Sequence, residues 1–149
     1  MYPRLVPPPA GQPIGQHLTH TARLASRAFD AALAAAGGSL PVWLILISLK
    51  SQRLANQRKL ADAIGIQGAT LTHHLNAMEA DGLVTRHRNL TNRRVHIVEM
   101  TDAGEALFHR LRAAAIAFDR QLRAGIADDD VATLARLLDR LRDNVAGQG

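Results

Sequence analysis

Between Asn56 and Arg86 the spacing of apolar positions changes character twice. Leu60, Ala61 and Ile64 recur at i, i+1 and i+4, the signature of a short helix with one apolar face. Gly65 ends it, because glycine enters a left-handed turn at least steric cost. Leu71, Leu75 and Met78 then follow at spacings of four and three, predicting a second helix from about Gly68 to Asp81. Its opposite face carries Gln67, Thr70, Thr72, His73, His74 and Asn76, polar groups of which none is negatively charged. Gly82 stands where a glycine closes a helix, with apolar Leu83 beside it as the usual contact. Beyond it, Val84 to Arg88 and Val95 to Met100 have strand character, and the polar, basic run Asn89-Leu90-Thr91-Asn92-Arg93-Arg94 lies between them.

The flanks are helical in period. Leu18, Ala22, Ala25, Phe29, Leu33 and Ala36 line one side of a helix from about Ile14, and Gly37-Gly38 ends it. Pro41 suits the first turn of the next helix, expected from Pro41 to Arg53, whose VWLILISL run is apolar nearly all round and therefore central and buried. Thr101 is a natural N-cap, with Asp102 and Glu105 in the first turn of a helix that carries Leu107, Leu111, Ala114, Phe118 and Leu122 to about Ala124. Gly125 closes that helix, and Asp128-Asp129-Asp130 opens the last one. There Val131, Leu134, Leu138, Leu141 and Val145 alternate spacings of three and four, widened by Leu137, as in a coiled-coil seam. The five prolines in Met1 to Gln16 predict an extended or disordered start.

Two short helices, a glycine turn and a polar second-helix face make a helix-turn-helix pattern, although an ordinary helical hairpin with a solvated face has the same spacing. The hairpin that follows decides between them. Arg86, His87, Arg88, Arg93, Arg94 and His96 all fall on it, where a hairpin needing only solubility usually mixes signs. A helix-turn-helix followed directly by a basic hairpin is a winged helix.

Charge supports a nucleic-acid partner. The net charge is +5, and residues 50–101 carry eight basic and four acidic side chains while residues 102–149 carry seven and eight. The positive excess therefore sits in the segment that phosphate attraction would require. Arg53, Arg58 and Lys59, just before and on the first helix of the reader, are equally suited to phosphate and to water. With no cysteine, thiol sensing and disulfides are excluded. The longest apolar run, Val42 to Ile47, is far short of the ~20 residues of a membrane span, and prolines occupy the place of a signal peptide's apolar core. No membrane partner and a cytoplasmic location are the expectation.

From KLADAIGI through GATLTHHLNAMEADGLVTR to NRRVHIVEMTDAG, the chain resembles the MarR family of winged-helix transcriptional regulators. The resemblance extends over nearly all of the chain after its first dozen residues. It implies a mainly α fold with a small antiparallel β-hairpin wing: one domain over 1–149, with dimerisation helices at 14–37 and 102–149 around a winged helix-turn-helix lobe at 41–101. Two positions depart from the family pattern. Asn92 replaces the aspartate that orients the wing arginine two residues on, here Arg94, and supplies a hydrogen-bond acceptor without a charge. Gln67-Gly68 replaces Ser-Pro at the start of the recognition helix, a weaker cap that predicts a helix start ordering on DNA.

The function so implied is sequence-specific DNA binding by a homodimer, with burial between two copies satisfying the three long amphipathic helices. Its target is a pseudo-palindromic operator in double-stranded DNA. Thr70, Thr72, His73 and Asn76 are the expected major-groove readers, with Gln67 at the helix entrance. Arg94, with Arg93, is assigned to the minor groove and Arg86 and Arg88 to phosphates. The family's habit is repression relieved by a small molecule, often an aromatic acid. It places the effector pocket near His17 and Trp43, although a lone buried tryptophan is more often core. No cofactor or metal is implied. His17 and His20 are one turn apart without a third ligand, which leaves a metal-responsive regulator as an alternative, alongside a winged helix acting as a protein-interaction module. An enzyme is not expected: no nucleophile, base and acid arrangement and no phosphate-cradling glycine loop stands out.

Overall fold

A computed structural model describes residues 13–52 and 55–147. In order, they form α1 (Ile14–Ala35), α2 (Leu40–Ser51), β1 (Ala55–Asn56), α3 (Gln57–Ile64), α4 (Gly68–Ala80), β2 (Val84–Arg88), β3 (His96–Met100), α5 (Asp102–Leu122) and α6 (Asp128–Ala146). Contacts divide the chain into two compact units, one ending at Ala115 and one beginning at Ile116. The proline-rich start and Arg53 lie outside the described residues.

In the first unit α2 is the centre. Ser39 caps it by accepting the Val42 N–H at 3.4 Å, and Pro41 occupies its first turn, where a missing N–H costs nothing. Trp43, Ile45, Leu46 and Leu49 are buried, together with Leu33 of α1, Leu60 and Ala61 of α3, Leu71, Leu75 and Met78 of α4, Val84 and Val98 of the sheet, and Leu107, Phe108 and Leu111 of α5. Each fully buried aliphatic side chain contributes about 1.5–3 kcal/mol relative to exposure, so the helix-turn-helix is held chiefly by its apolar undersides. The α1 stripe is covered only towards its C-terminal end, where Phe29, Leu33 and Ala36 join the core while Leu18 stays exposed.

The sheet has three strands in the order β1-β3-β2, all antiparallel, where a two-stranded hairpin was expected. Ala55 and Asn56 pair with Val98 and Ile97. Two residues are too few to show a strand's alternation, so β1 exists only through its partner. The β2–β3 register runs from Val84↔Met100 to Arg88↔His96, placing Val95 in the wing turn instead of at the strand start predicted for it.

The second unit comprises the end of α5 and all of α6. Gly125, at φ 78°, makes the turn between them, after α5 ends at Leu122, two residues short of the expected limit. Helix α6 has no buried residue: Leu134, Leu137, Leu138 and Val145 are all exposed. Among the described residues, no single helix is long and apolar enough to cross a membrane.

Candidate nucleic-acid interface

The turn between α3 and α4 is built as its residues dictate. Asn56 caps α3 by accepting the Arg58 and Lys59 N–H groups at 2.8 and 3.3 Å. Gly65 adopts φ 79°, and its N–H and that of Ile66 close on the Ala61 carbonyl at 2.9 and 3.1 Å. Helix α4 then starts at Gly68 without a side-chain cap from Gln67, in keeping with the weak capping expected there. It ends in a Schellman motif: Leu83 N–H bonds the Met78 carbonyl at 2.9 Å and Gly82 N–H, at φ 75°, bonds that of Glu79 at 3.0 Å. With Leu71, Leu75 and Met78 turned into the core, α4 presents Thr70, His73 and Asn76 to solvent.

Thr72 is placed differently from the other expected readers. Its hydroxyl donates to the Gly68 carbonyl at 2.9 Å and accepts from Gln57 Nε2 at 2.8 Å, so its one donor and one of its two acceptor positions are spent within α4 and on joining it to the start of α3. Arg86 is committed as well. Its Nε lies 3.2 Å from Glu79 Oε2, and its Nη2 lies 2.6 Å from Asn76 Oδ1 and 3.4 Å from Glu79 Oε1. The hydrogen bond from Arg86 holds the Glu79 carboxyl below its ordinary range. The structure thus gives Arg86, expected at a phosphate, an internal partner on the recognition helix.

The wing turn is organised by two asparagines. Asn89 Oδ1 accepts from the Thr91 N–H and hydroxyl at 2.9 and 2.8 Å, and Asn92 Oδ1 accepts the Arg94 N–H at 3.2 Å. Asn92 therefore shapes the backbone of the turn, whereas the expected contact was to the Arg94 guanidinium. Arg88, Arg93 and Arg94 are exposed, and among the described residues Arg86 is the only wing arginine in an ion pair.

A groove of about 750 Å³ separates the start of α4 from the wing. It brings together Gln67, Thr72 and Arg94 of the expected site and adds Gln57, Arg58 and His96. Arg58 of α3 and Arg94 of the wing thus approach an uncapped helix start, with Asp62 the one carboxylate on the lining, a net positive setting that suits a polyanion. The effector residues are not drawn together in this way. Trp43 is buried and stacked on Phe108, with ring centroids 5.7 Å apart, while His17 is exposed near the start of α1. The Trp43 ring is thus core. Among the described residues, no group of three or more histidines and carboxylates is arranged to hold a metal ion.

Gln57 and Glu79 escaped the reading of the sequence. Glu79 lies one turn beyond Asn76 on the same helical face, a spacing that could have suggested a shared partner. Nothing in the local pattern marks Gln57, whose role depends on how α3 and α4 cross.

Residues 39–96 match the MarR family by sequence. The fold is similar to that of a cysteine-to-serine mutant of MarR from E. coli complexed with operator DNA, at TM-score 0.76 and 21% identity over 87% of this chain and 93% of that one. It is also similar to the transcriptional repressor CouR bound to a 23-mer DNA duplex, at TM-score 0.77 and 24% identity over 87% and 92%. A third likeness is to the PcaV transcriptional regulator from Streptomyces coelicolor in complex with its natural ligand, at TM-score 0.74 and 20% identity over 89% and 96%. At these identities the structural likenesses establish the winged-helix fold.

Proposed function

We propose that this chain, a MarR-family protein through its residues 39–96, is a DNA-binding transcriptional regulator that works as a homodimer on a pseudo-palindromic operator. The observation that carries this reading is the pairing of a polar face on α4, whose one carboxylate, Glu79, is neutralised by Arg86, with a wing whose Arg88, Arg93 and Arg94 have no acidic partner among the described residues. A solvated surface gains nothing from leaving three neighbouring arginines uncompensated, whereas a duplex supplies the missing charge. The E. coli MarR and CouR structures, which hold DNA on this scaffold, support the same reading.

In this mechanism Thr70, His73 and Asn76 face the major groove, with Gln67 at its entrance. Arg94 and Arg93 approach the flanking minor groove and Arg88 a phosphate, while Thr72 and Arg86 keep the reading helix in place. Two copies present two recognition helices about 34–36 Å apart, one turn of DNA. Control follows from a small molecule that binds better to a dimer whose helices are wrongly spaced, because only differential affinity moves the equilibrium. Repression, with an aromatic acid as the releasing effector, is the form proposed, and the PcaV regulator in complex with its natural ligand, on a similar fold, supports control by a ligand. A cytoplasmic location goes with that role.

The test is binding of the purified protein to the DNA upstream of its own coding region, at several salt concentrations and against scrambled duplex. Tight, strongly salt-dependent binding that prefers the upstream DNA is expected, and aromatic acids can be screened for release in the same assay. Absence of binding at low salt would overturn the proposal in favour of a protein-interaction module.

A further inference from the structure

We propose that Asn76 contacts the operator as a hydrogen-bond donor only, because Arg86 holds its carbonyl, and that it selects guanine over adenine at one position of each half-site. The inference rests on the reading that α4 faces the major groove. It assigns Arg86 and Glu79 as positioning residues for base selection.

The orientation of the Asn76 carboxamide follows from its neighbour. Arg86 Nη2 lies 2.6 Å from Asn76 Oδ1. A guanidinium has donors and no acceptor, so a flipped amide would set N–H against N–H, and only the oxygen can face the arginine. Arg86 is itself held by Glu79, through Nε to Oε2 at 3.2 Å and Nη2 to Oε1 at 3.4 Å. Its backbone is fixed in the sheet opposite Val98, which is fully buried, and its side chain is 21% exposed. Arg86 of β2 thus bridges Asn76 and Glu79 of α4, and the outward group of Asn76 is its amino group.

An unconstrained asparagine reads adenine by offering its oxygen to N6–H and its amino group to N7 together. Here an adenine amino group would share that oxygen with a cation whose N–H groups repel it. Guanine presents two acceptors, N7 and O6, on the same edge, and both accept from the free amino group. Cytosine presents a donor and is rejected.

Selection from a pool of randomised duplexes tests the assignment on three proteins: wild type, Asn76→Ala and Arg86→Met. Wild type should enrich guanine roughly ten-fold over adenine at one position of each half-site, the scale of a good base contact. Asn76→Ala should flatten that position and leave the others. Arg86→Met frees the carbonyl and should move the same position towards adenine. Enrichment of adenine by wild type at the position that depends on Asn76, or an unchanged preference in Arg86→Met, overturns the proposal. A second readout needs no DNA: the Asn76 side-chain amide, followed by nitrogen-15 relaxation, should be rigid in the wild type and mobile in Arg86→Met. Equal mobility in both removes the clamp, and with it the proposal, whatever DNA does. A rigid amide with no sequence enriched by wild type overturns instead the reading of α4 as a base reader.

Discussion

Gln57 donates to the Thr72 hydroxyl at 2.8 Å, joining the first residue of α3 to the second turn of α4. Because that hydroxyl also donates to the Gly68 carbonyl, its single proton is not free for a base edge. Thr72→Val and Gln57→Ala should therefore each lower stability by about 0.5–1.5 kcal/mol and should be non-additive, the mark of a shared contact. Urea denaturation of both single variants and the double variant measures the coupling. Base preference in a duplex selection should be unchanged in Thr72→Val. A new consensus in that variant alone would return Thr72 to the readers.

Arg94 borders the groove at the start of α4 and carries no acidic partner among the described residues. Its charge is therefore available to DNA without first breaking an internal pair. Arg94→Ala should weaken binding to operator and scrambled duplex alike and lower the slope of log affinity against log salt by about one. Arg86→Ala should change the slope less, since its charge is already balanced by Glu79. Equal slopes for Arg94→Ala and wild type would remove Arg94 from the interface.

Gly104 is buried in the first turn of α5, directly against the Leu83 carbonyl, and a Cβ there would overlap that backbone oxygen and come within 2.8 Å of Met100 Cγ. The same junction is tied by the Thr101 hydroxyl, which donates to the Gly82 carbonyl at 2.6 Å and accepts the Gly104 N–H at 3.1 Å. Backbone cannot give way as a side-chain tip can. Gly104→Ala should thus destabilise by about 1–3 kcal/mol or more, although alanine is the better helix former by about 1 kcal/mol. A denaturation midpoint at or above that of the wild type would show that α5 can shift away from Leu83.

The features that the chain's pattern revealed are those set by local chemistry. Gly65 and Gly82 marked their turns because positive φ requires glycine at little cost, and both adopt it. Thr101 was recognisable as a cap from its acidic followers. What stayed hidden depends on packing between elements. β1 is two residues long, and its strand character comes only from Val98 and Ile97 across the sheet. Arg86 was expected at a phosphate from its place on the basic hairpin, and its contacts with Asn76 and Glu79 were hidden because those residues lie on another element and become neighbours only after α4 docks on β2. Trp43 was ambiguous for the same reason, since Phe108, which covers it, comes from α5.

Glu105 joins α5 to α2 through Lys50, whose ammonium also lies 5.5 Å from the centre of the Phe108 ring. The hydrogen bond from Lys50, with smaller contributions from the charges of Lys50 and His109, draws the Glu105 carboxyl below its ordinary value of 4.5 despite partial desolvation. A carboxylate whose folded value is depressed adds stability above its unfolded value and loses it as pH falls through the folded one. The wild type should therefore lose stability as pH drops below about 4.5, and Glu105→Gln should lose less over the same interval while starting lower at pH 7. Denaturation midpoints between pH 7 and pH 3 test the sign. Parallel curves for the two proteins would show that this contact carries no pH dependence.

Along α6, Val131, Leu134, Leu138, Leu141 and Val145 follow the alternating three- and four-residue spacing of a helix seam, yet none is buried. Leu134 is 48% exposed, Leu138 41% and Val145 73%. An apolar row of this length costs solvation free energy in an isolated chain and is removed from water when a second copy covers it. Charged substitution in the row should then act on assembly without unfolding a helix that already stands in solvent. On the proposed homodimer, wild type should be dimeric and Leu134→Asp combined with Leu138→Asp monomeric, as measured by light scattering, while helical content by circular dichroism stays near the wild-type level. Binding to a palindromic duplex should fall steeply because the two half-sites are no longer engaged together, whereas the weaker affinity for a single half-site should persist. A double variant that remains dimeric would locate the subunit contact elsewhere on the chain.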